Sequence, residues 1–470
     1  MRIPVPMVGV HASGRSQASN NQITRNLYVE RTGEGAKARA TLLPTPGLTF
    51  LSSAGTGPCR SNGIVFNGAA YFISGADLIK IDNNLNFTTV DQLNTNNGWV
   101  KMAANPSHII IVDGTNGYTF DGTTLTVIAD ADFPTCNHVT FLDSYFIVED
   151  RDNVGRFYIS NSNDGTAWDT LDFATAESNP DDMYVPLALN DRLWLFGENT
   201  SRPYYNSGNV DFPFDPIRNS QLEWGVQAEN SVIKAGNEVF WLARNELGAN
   251  QIFQGGGQGP KVISNPDIAH ELQQMSTTSD CVAHTYMQDD HPFVVFNFPT
   301  GDKTFVYDVK EQAWHTRKSK NIGRHRAQGH VFFQGKNIVG DYLNSNFYYY
   351  DLSNYTDNEA TVERTRYTQF VHKDRQNVAI TDFEIEFEPG VGLTSGQGSD
   401  PMAMLSVSKD GGKTWSNELW RSIGKKGKYT WRTRWQKLGV GREWQFKISV
   451  TDPVFINIIG AYANVEVYDG

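Results

Sequence analysis

Between residues 60 and 355 one hydrophobic pattern recurs about seven times. Each copy opens on a short apolar run, passes through a turn of Gly, Asn and Asp, and returns on a run that carries aromatic rings. In order the copies are GIVFNGAAYFISGADLIKID (63–82), HIIIVDGTNGYTFDG (108–122), SYFIVEDRDNVGRFYIS (144–160), DRLWLFGENTSRPYYN (191–206), NEVFWLARNELGANQIFQ (237–254), HPFVVFNFPTGDKTFVYD (291–308) and KNIVGDYLNSNFYYYD (336–351). Self-similarity at a period of roughly 40–50 residues marks a radial β-repeat. Within the runs both faces are apolar: Leu193 and Leu195 alternate with Trp194 and Phe196. A strand with two apolar faces lies between two stacked sheets. The spacing of the copies matches one four-stranded propeller blade each.

The pattern changes twice. NPDIAHELQQM (265–275) has helical spacing, with Asn265 as N-cap, Pro266 at the first helical position, Asp267 in the first turn, and Ile268, Leu272 and Met275 on one face. It predicts a short amphipathic helix covering a blade edge. After residue 360 the strands lengthen: 362–373, 379–390, 401–410, 429–439, 442–450 and 460–469. In 384–388 three glutamates alternate with Ile385 and Phe387, one wet face against one buried. That set reads as a β-sandwich. Ahead of the repeats, residues 1–22 are small, polar and aperiodic, a mobile arm that either stays disordered or orders on a neighbouring subunit. NLYVE (26–30) and RATLLPTPGLTFL (39–51) are strand-like, with Pro44 and Pro46 at strand ends or edges.

The expectation is therefore an all-β chain. An N-terminal arm spans 1–23, a β-propeller of six to eight blades spans 24–358, and a β-sandwich spans 359–470. Segment 24–51 would close the ring or bridge to the sandwich.

Composition narrows the function. Net charge is −12, which argues against a general nucleic-acid binder. From Ala360 onward, 15 Lys and Arg against 13 Asp and Glu give +2, so residues 1–359 hold the other 25 and 39, or −14. The shift coincides with the end of the repeats. Three widely spaced cysteines, Cys59, Cys136 and Cys281, form no metal knuckle or redox pair and suit synthesis in a reducing cytoplasm. The first residues lack a signal-peptide apolar core, and no stretch approaches the ~20 apolar residues of a membrane span. A soluble product with no membrane span is expected.

The sharpest local motif is SKDGGKTW, in which Ser408, Asp410, Gly412, Thr414 and Trp415 complete an Asp-box pattern; SNDGTAW (162–168) echoes it. Asp410 is expected to accept backbone N–H bonds across the loop, Gly412 to take the strained position and Trp415 to pack beneath. Asp boxes occur in sialidases, but there as turns remote from the catalytic pocket. Glycosidase chemistry needs two carboxylates about 5 to 9.5 Å apart, and no Arg or Glu stands in a motif that singles it out. Histidines 284, 291, 315, 325 and 330 lack metal-ligand spacing. No cofactor or metal is expected, nor catalytic residues. Two basic clusters remain, KSKNIGRHR (318–326) and RSIGKKGK (421–428). They are solvated loops, or else a docking surface for an acidic neighbour or DNA phosphate, with Arg324, Arg326, Lys425, Lys426 and Lys428 as the candidate contacts.

Three stretches together carry a resemblance: NLYVE…LLPTPGLTFL, then ISNPDIAHELQQM…HPFVVFNFPTGDKTFVYDVKEQAWHTR with Trp314, His315 and Arg317, then the SVSKDGGKTW sandwich end. They resemble the tail-hub, or nozzle, proteins of short-tailed bacteriophages, also called packaged-DNA stabilisation proteins or head completion factors. The resemblance covers nearly the whole chain. It implies a structural virion protein made in the host cytoplasm, a homohexameric ring below the portal and its adaptor ring. That ring would extend the DNA channel, help retain packaged DNA, pass double-stranded DNA transiently without specific binding, and anchor fibres or spikes and a terminal needle or plug. The alternative expectation is a tail-borne propeller, sialidase-like, that binds or hydrolyses glycans.

Overall fold

The computed structural model describes residues 1–153, 155–175, 183–245, 247–248, 250–256, 259–374 and 376–468. Its repeats form seven blades. The first four are Ile64–Phe66 through Phe87–Gln92, Lys101–Ala104 through Leu125–Val127, Val139–Leu142 through Asp164–Thr175, and Met183–Leu189 through Phe214–Pro216. The fifth runs from Gly225–Val226 to Lys261–Val262 with Ile233–Ala235 as an added strand, and the sixth from Val282–Gln288 to Ala313–Arg317. The seventh joins Ala327–Phe333, Lys336–Asp341 and Asn346–Asp351 to Gly47–Ser53, a strand from the far end of the chain. The ring is thus closed by sequence-distant strand pairing, Tyr350 opposite Leu48.

Each gap between blades holds its own apolar core. Leu193 and Leu195 enter the core shared with blade three, while Trp194 and Phe196 enter the one shared with blade five. This is the two-faced alternation of the sequence made physical. The last gap, between blades seven and one, is filled by Phe72, Phe333, Ile338 and Phe347 around Cys59. A propeller leaves only short, protected edges, which is why so many aromatic strands can be stacked without a sticky rim.

The helix Pro266–Gln273 forms as its cap residues dictate. Asn265 Oδ1 accepts the Ile268 N–H at 2.8 Å, and Ile268 and Leu272 are fully buried in the core between blades five and six. Among the described residues no helix is long and apolar enough to cross a membrane.

The sandwich has two sheets. One contains Thr433–Gly441, Asn377–Phe387 and Ile458–Tyr468, extended by Ala40–Pro44 and Leu27–Arg31, with Arg2–Val5 on the side. The other contains Arg364–Tyr367, Glu443–Val450, Met402–Ser408 and Leu419–Ser422. Phe383 and Phe446 stack between them at 4.2 Å. The second sheet is continuous with blade six. Thr24–Arg25 pairs in parallel with Ala313–Arg317 and antiparallel with Arg364–Tyr367, so propeller and sandwich share one hydrogen-bonded sheet.

Two expectations change here. The arm is ordered on its own chain: Arg2–Val5 pairs with Ile458–Tyr468, and the His11 N–H donates to Trp314 O at 2.8 Å. Strands 27–44 stand in the sandwich rather than the propeller, and only 47–53 closes the ring. The physical reason for the first is a buried cation, Arg366, whose hydrogen-bond demand is met by the arm itself.

Candidate docking surface

The Asp-box turn follows Met402–Ser408. Asp410 Oδ1 accepts the N–H groups of Lys413 at 3.1 Å and Thr414 at 3.0 Å, and Oδ2 accepts the Thr414 hydroxyl at 2.7 Å. Ser408 Oγ donates to Asp410 and accepts the Gly412 N–H. Gly411 and Gly412 both have positive φ, +74° and +83°, where a side chain is strained. Trp415 is half-buried, its ring 5.2 Å from Tyr367. The Thr414 hydroxyl, then its N–H, hold the Asp410 carboxyl down at about 2. A depressed carboxyl stabilises above its unfolded value and loses that contribution as pH falls through the folded one. The turn is therefore expected to loosen between about pH 4 and 2, read as faster amide exchange at Lys413 and Thr414. Asp410→Ala should cost about 1–2 kcal/mol at neutral pH by chemical denaturation, and Asp410→Asn less.

The 164–168 echo opens the strand Asp164–Thr175 instead of forming an Asp-box turn: Asp164 accepts from Thr166, and Trp168 Nε1 donates to Gly165 O. Asp113 and Asp121 likewise accept backbone N–H groups two and three residues on. Three of these histidines have ordinary partners: His284 meets the Tyr350 hydroxyl at 3.1 Å, His291 meets Asp308 at 2.7 Å and His330 meets Asn337 at 3.0 Å. Burial holds His325 and His330 down at about 4, so both are neutral at physiological pH.

The first basic cluster does not present the arginines expected to dock. Arg324 is buried, its guanidinium 3.4 Å from the Tyr342 ring centre and bonded to Gln328. Arg326 reaches Asp341 at 3.4 Å and the Tyr348 hydroxyl at 3.1 Å. Both turn inward because blade seven offers aromatic faces and a buried carboxylate at that seam. As contacts for DNA or an acidic neighbour they are corrected to packing residues.

The second cluster is exposed. Lys425, Lys426 and Lys428 project from a loop beside the edge strand Leu419–Ser422, and Lys425 alone approaches a carboxylate, Asp400 at 3.6 Å. Around them stand large exposed rings: Trp420 is 50 % exposed, Tyr429 72 % and Trp431 49 %. These rings are held rather than loose. Trp431 Nε1 donates to Ser422 O at 2.9 Å and its ring base packs on Gly424, while Tyr429 lies across Gly390, where a Cβ would come within 2.7 Å of it. Tyr429, Trp431 and Tyr462 line a groove of about 340 Å³ with Arg2, Arg432 and Glu384. Arg432 grips Glu384 through two nitrogens, with Nε at 2.7 Å from Oε1, and this bond with Arg2 and Arg434 nearby holds the Glu384 carboxyl below its usual range. Fixed Trp, Tyr and Arg side chains ringed by lysine have the composition of a protein-interface hot spot. The signal was present in RSIGKKGKYTWRTRW, as aromatics embedded among basic residues.

The axis of the propeller is a different space. Inner strands of blades one to five enclose about 410 Å³, with Lys101, His138 and Lys234 on the wall. That volume is of the size of a small-molecule cavity. Burial pulls the Lys101 ammonium down to about 8, against the opposing pull of Glu229 and Glu149.

The chain aligns with solved structures only at low similarity. A computationally designed protein, Ika8, aligns at TM-score 0.41 and 9 % identity over 65 % of this chain and 99 % of its own; the Pan2 WD40 domain of Neurospora crassa aligns at 0.43 and 8 % over 65 % and 94 %; the N-terminal domain of Nup159 aligns at 0.42 and 7 % over 71 % and 99 %. No curated protein sequence matches. Two family models do. The one described as the bacteriophage P22 Gp10 β-propeller matches residues 1–355, and the one described as the bacteriophage P22 Gp10 β-sandwich matches residues 363–466. With both lobes matched in order, the chain belongs to the bacteriophage P22 Gp10 family of short-tailed phage tail-hub proteins and is a structural component of the phage tail.

Proposed function

We propose that this chain is the tail nozzle: a non-enzymatic subunit that assembles as a homohexameric ring below the portal and adaptor rings, extends the DNA channel, helps retain packaged DNA, and anchors fibres or spikes and a terminal needle or plug. The observation that carries the reading is the family match over both lobes. Two physical features support it. The closed propeller and its shared sheet with the sandwich give a rigid wall element, because no lobe can tilt without breaking strand pairing at Thr24–Arg25. The axial space of about 410 Å³ is too small for a duplex, so DNA would pass through a channel between copies rather than through one propeller. The −14 balance of residues 1–359 keeps phosphate from sticking to such a wall. Three free, buried thiols suit folding in a reducing host cytoplasm.

In this reading the sandwich edge with Trp420, Tyr429, Trp431 and the lysine loop docks an adjoining tail component with an acidic face. Purified chain mixed with adaptor is expected to form rings in electron micrographs, with no turnover of surface glycan. A chain that stays monomeric with adaptor and hydrolyses glycan would sink the proposal. Trp431→Ala together with Lys426→Glu should weaken co-assembly at least about tenfold, as loss of a hot-spot ring does, with an unchanged circular dichroism spectrum.

A further inference from the structure

The seam between propeller and sandwich holds a recess of about 310 Å³. Its walls come from four segments: Arg25 on the shared strand, Lys318 and Lys320 just after blade six, Thr361 and Glu363 at the entry to the sandwich, and Thr451 after Glu443–Val450. The floor is built. Asn26 is almost fully buried; its Nδ2 donates to Lys318 O at 2.9 Å and Glu363 O at 2.8 Å, and its Oδ1 accepts the Lys318 N–H at 3.0 Å. The two lobes are thus clamped beneath the recess, and its shape does not depend on loop conformation.

The charge at this place is unbalanced. Among the described residues, no carboxylate forms an ion pair with Arg25, Lys318 or Lys320. The one acid on the wall, Glu363, is already engaged by the hydroxyls of Thr365 at 2.9 Å and Ser449 at 3.3 Å. Arg25 and Lys318 also line a second recess of about 330 Å³, where Glu271 and Asp302 are the acids on the wall. Three cations from two segments, lining one small space in a chain of net charge −12, call for a compact ligand with several acceptor oxygens. A carboxylate has two oxygens, whereas a phosphate monoester or inorganic phosphate offers three or more. A duplex backbone would have to reach into a recess of about 310 Å³ on a chain of net charge −12, which disfavours DNA as the occupant.

We propose that the seam recess is a binding site for a free phosphate-class oxyanion, held by Arg25, Lys318 and Lys320. Bound there, the anion bridges blade six and the sandwich and stabilises their relative placement by mass action. The test uses the full chain and inorganic phosphate, titrated at constant ionic strength against chloride, with thermal unfolding and the phosphorus NMR linewidth as readouts. A saturable rise in Tm of roughly 2–4 °C is expected at saturation, with line broadening of the phosphate signal. Arg25→Gln and Lys320→Gln should each weaken apparent affinity about tenfold. Lys320 is exposed, so its variant folds even if Arg25→Gln disturbs the seam. Absence of a saturable response, or an undiminished response in Lys320→Gln, overturns the proposal. So does retention of a short DNA duplex through Arg25 and Lys320 with no response to inorganic phosphate, which would assign the recess to the nucleic-acid backbone.

Discussion

Replacing Arg366 with alanine is expected to release the N-terminal arm and destabilise the chain by about 4 kcal/mol. Arg366 is fully buried on the sandwich strand Arg364–Tyr367. Among the described residues it has no carboxylate partner. Its guanidinium donates to Met7 O at 2.8 Å, Val10 O at 3.0 Å, Thr24 Oγ1 at 2.8 Å and Gln22 Oε1 at 2.7 Å. Burial without an anion pulls its pKa down to about 9, which reports how completely the cation depends on these neutral acceptors. Removing it leaves several buried acceptors unpartnered, at about 1–3 kcal/mol each, and opens a cavity besides. The arm is fitted tightly around the cation: a Cβ on Gly9 would collide with Nη2. Arg366→Lys keeps the charge but has one nitrogen for four acceptors, and should fall between wild type and alanine. Urea unfolding gives the stability change, and limited proteolysis between residues 7 and 25 gives the release. A change within about 0.5 kcal/mol, with the arm still protected, would show that strand pairing alone holds it.

The consequence reaches past the sandwich. The arm starts in one sandwich sheet, passes Arg366, and then touches the propeller. His11 meets Glu271 on the helix at 2.7 Å, and Asn20 donates to Asp267 at 2.9 Å. Burial would raise the Glu271 carboxyl, yet His11 and Lys303 outweigh it and hold it near about 2. The arm is a strap across both lobes, and losing its anchor at Arg366 loosens the seam that a nozzle wall needs to be stiff.

The repeats were legible in the sequence because their strands are apolar on both faces. Leu193 and Trp194 differ only in which neighbouring blade they meet, and the pattern shows both. One inner strand was nearly invisible for the opposite reason. Ile233–Ala235 is three residues long and only partly buried, too short to display a period. The helix was legible down to its cap, since Asn265 and Ile268 interact within one turn. Which part of segment 24–51 would close the ring and which would bridge to the sandwich was not, because that is decided by partners some 300 residues away: Thr316 and Thr365 for Arg25, Tyr350 for Leu48. Docking residues were misjudged in the same way. A basic run records charge but not whether Tyr342 or Asp341 waits to receive it, and an aromatic at strand spacing records affinity for a core that Tyr429 does not enter.

Leu48→Asp is expected to open the propeller ring and cost about 5 kcal/mol or more. Leu48 is fully buried among Tyr28, Phe293, Val295 and Tyr348, at the only described strand that comes from outside the repeats to complete a blade. Deleting a buried leucine side chain costs about 2–5 kcal/mol, and an unpaired carboxylate in that cluster adds its desolvation. Backbone geometry leaves little room for the strand to shift. Gly47 lies so near the carbonyl oxygens of Asn354 and Thr356 that a Cβ there would sit 2.5 Å from each, and Leu48 O accepts the Asn358 N–H at 3.1 Å. If Gly47–Ser53 detaches, Asn346–Asp351 becomes an open edge and the neighbouring core of Phe72, Phe333 and Phe347 meets water. Amide exchange should therefore accelerate in Ala69–Ser74 and Lys336–Asp341 together, on both sides of the closing gap, while blades three and four keep their protection. Phe50, on the same strand but half-exposed, is the control, and Phe50→Ala should stay within about 1 kcal/mol of wild type. Exchange confined to residues 47–53 in Leu48→Asp would mean that contacts between the inner strands, rather than this strand, keep the circle shut. The same variant should also fail to enter rings with adaptor, because an opened propeller no longer presents its faces at fixed angles.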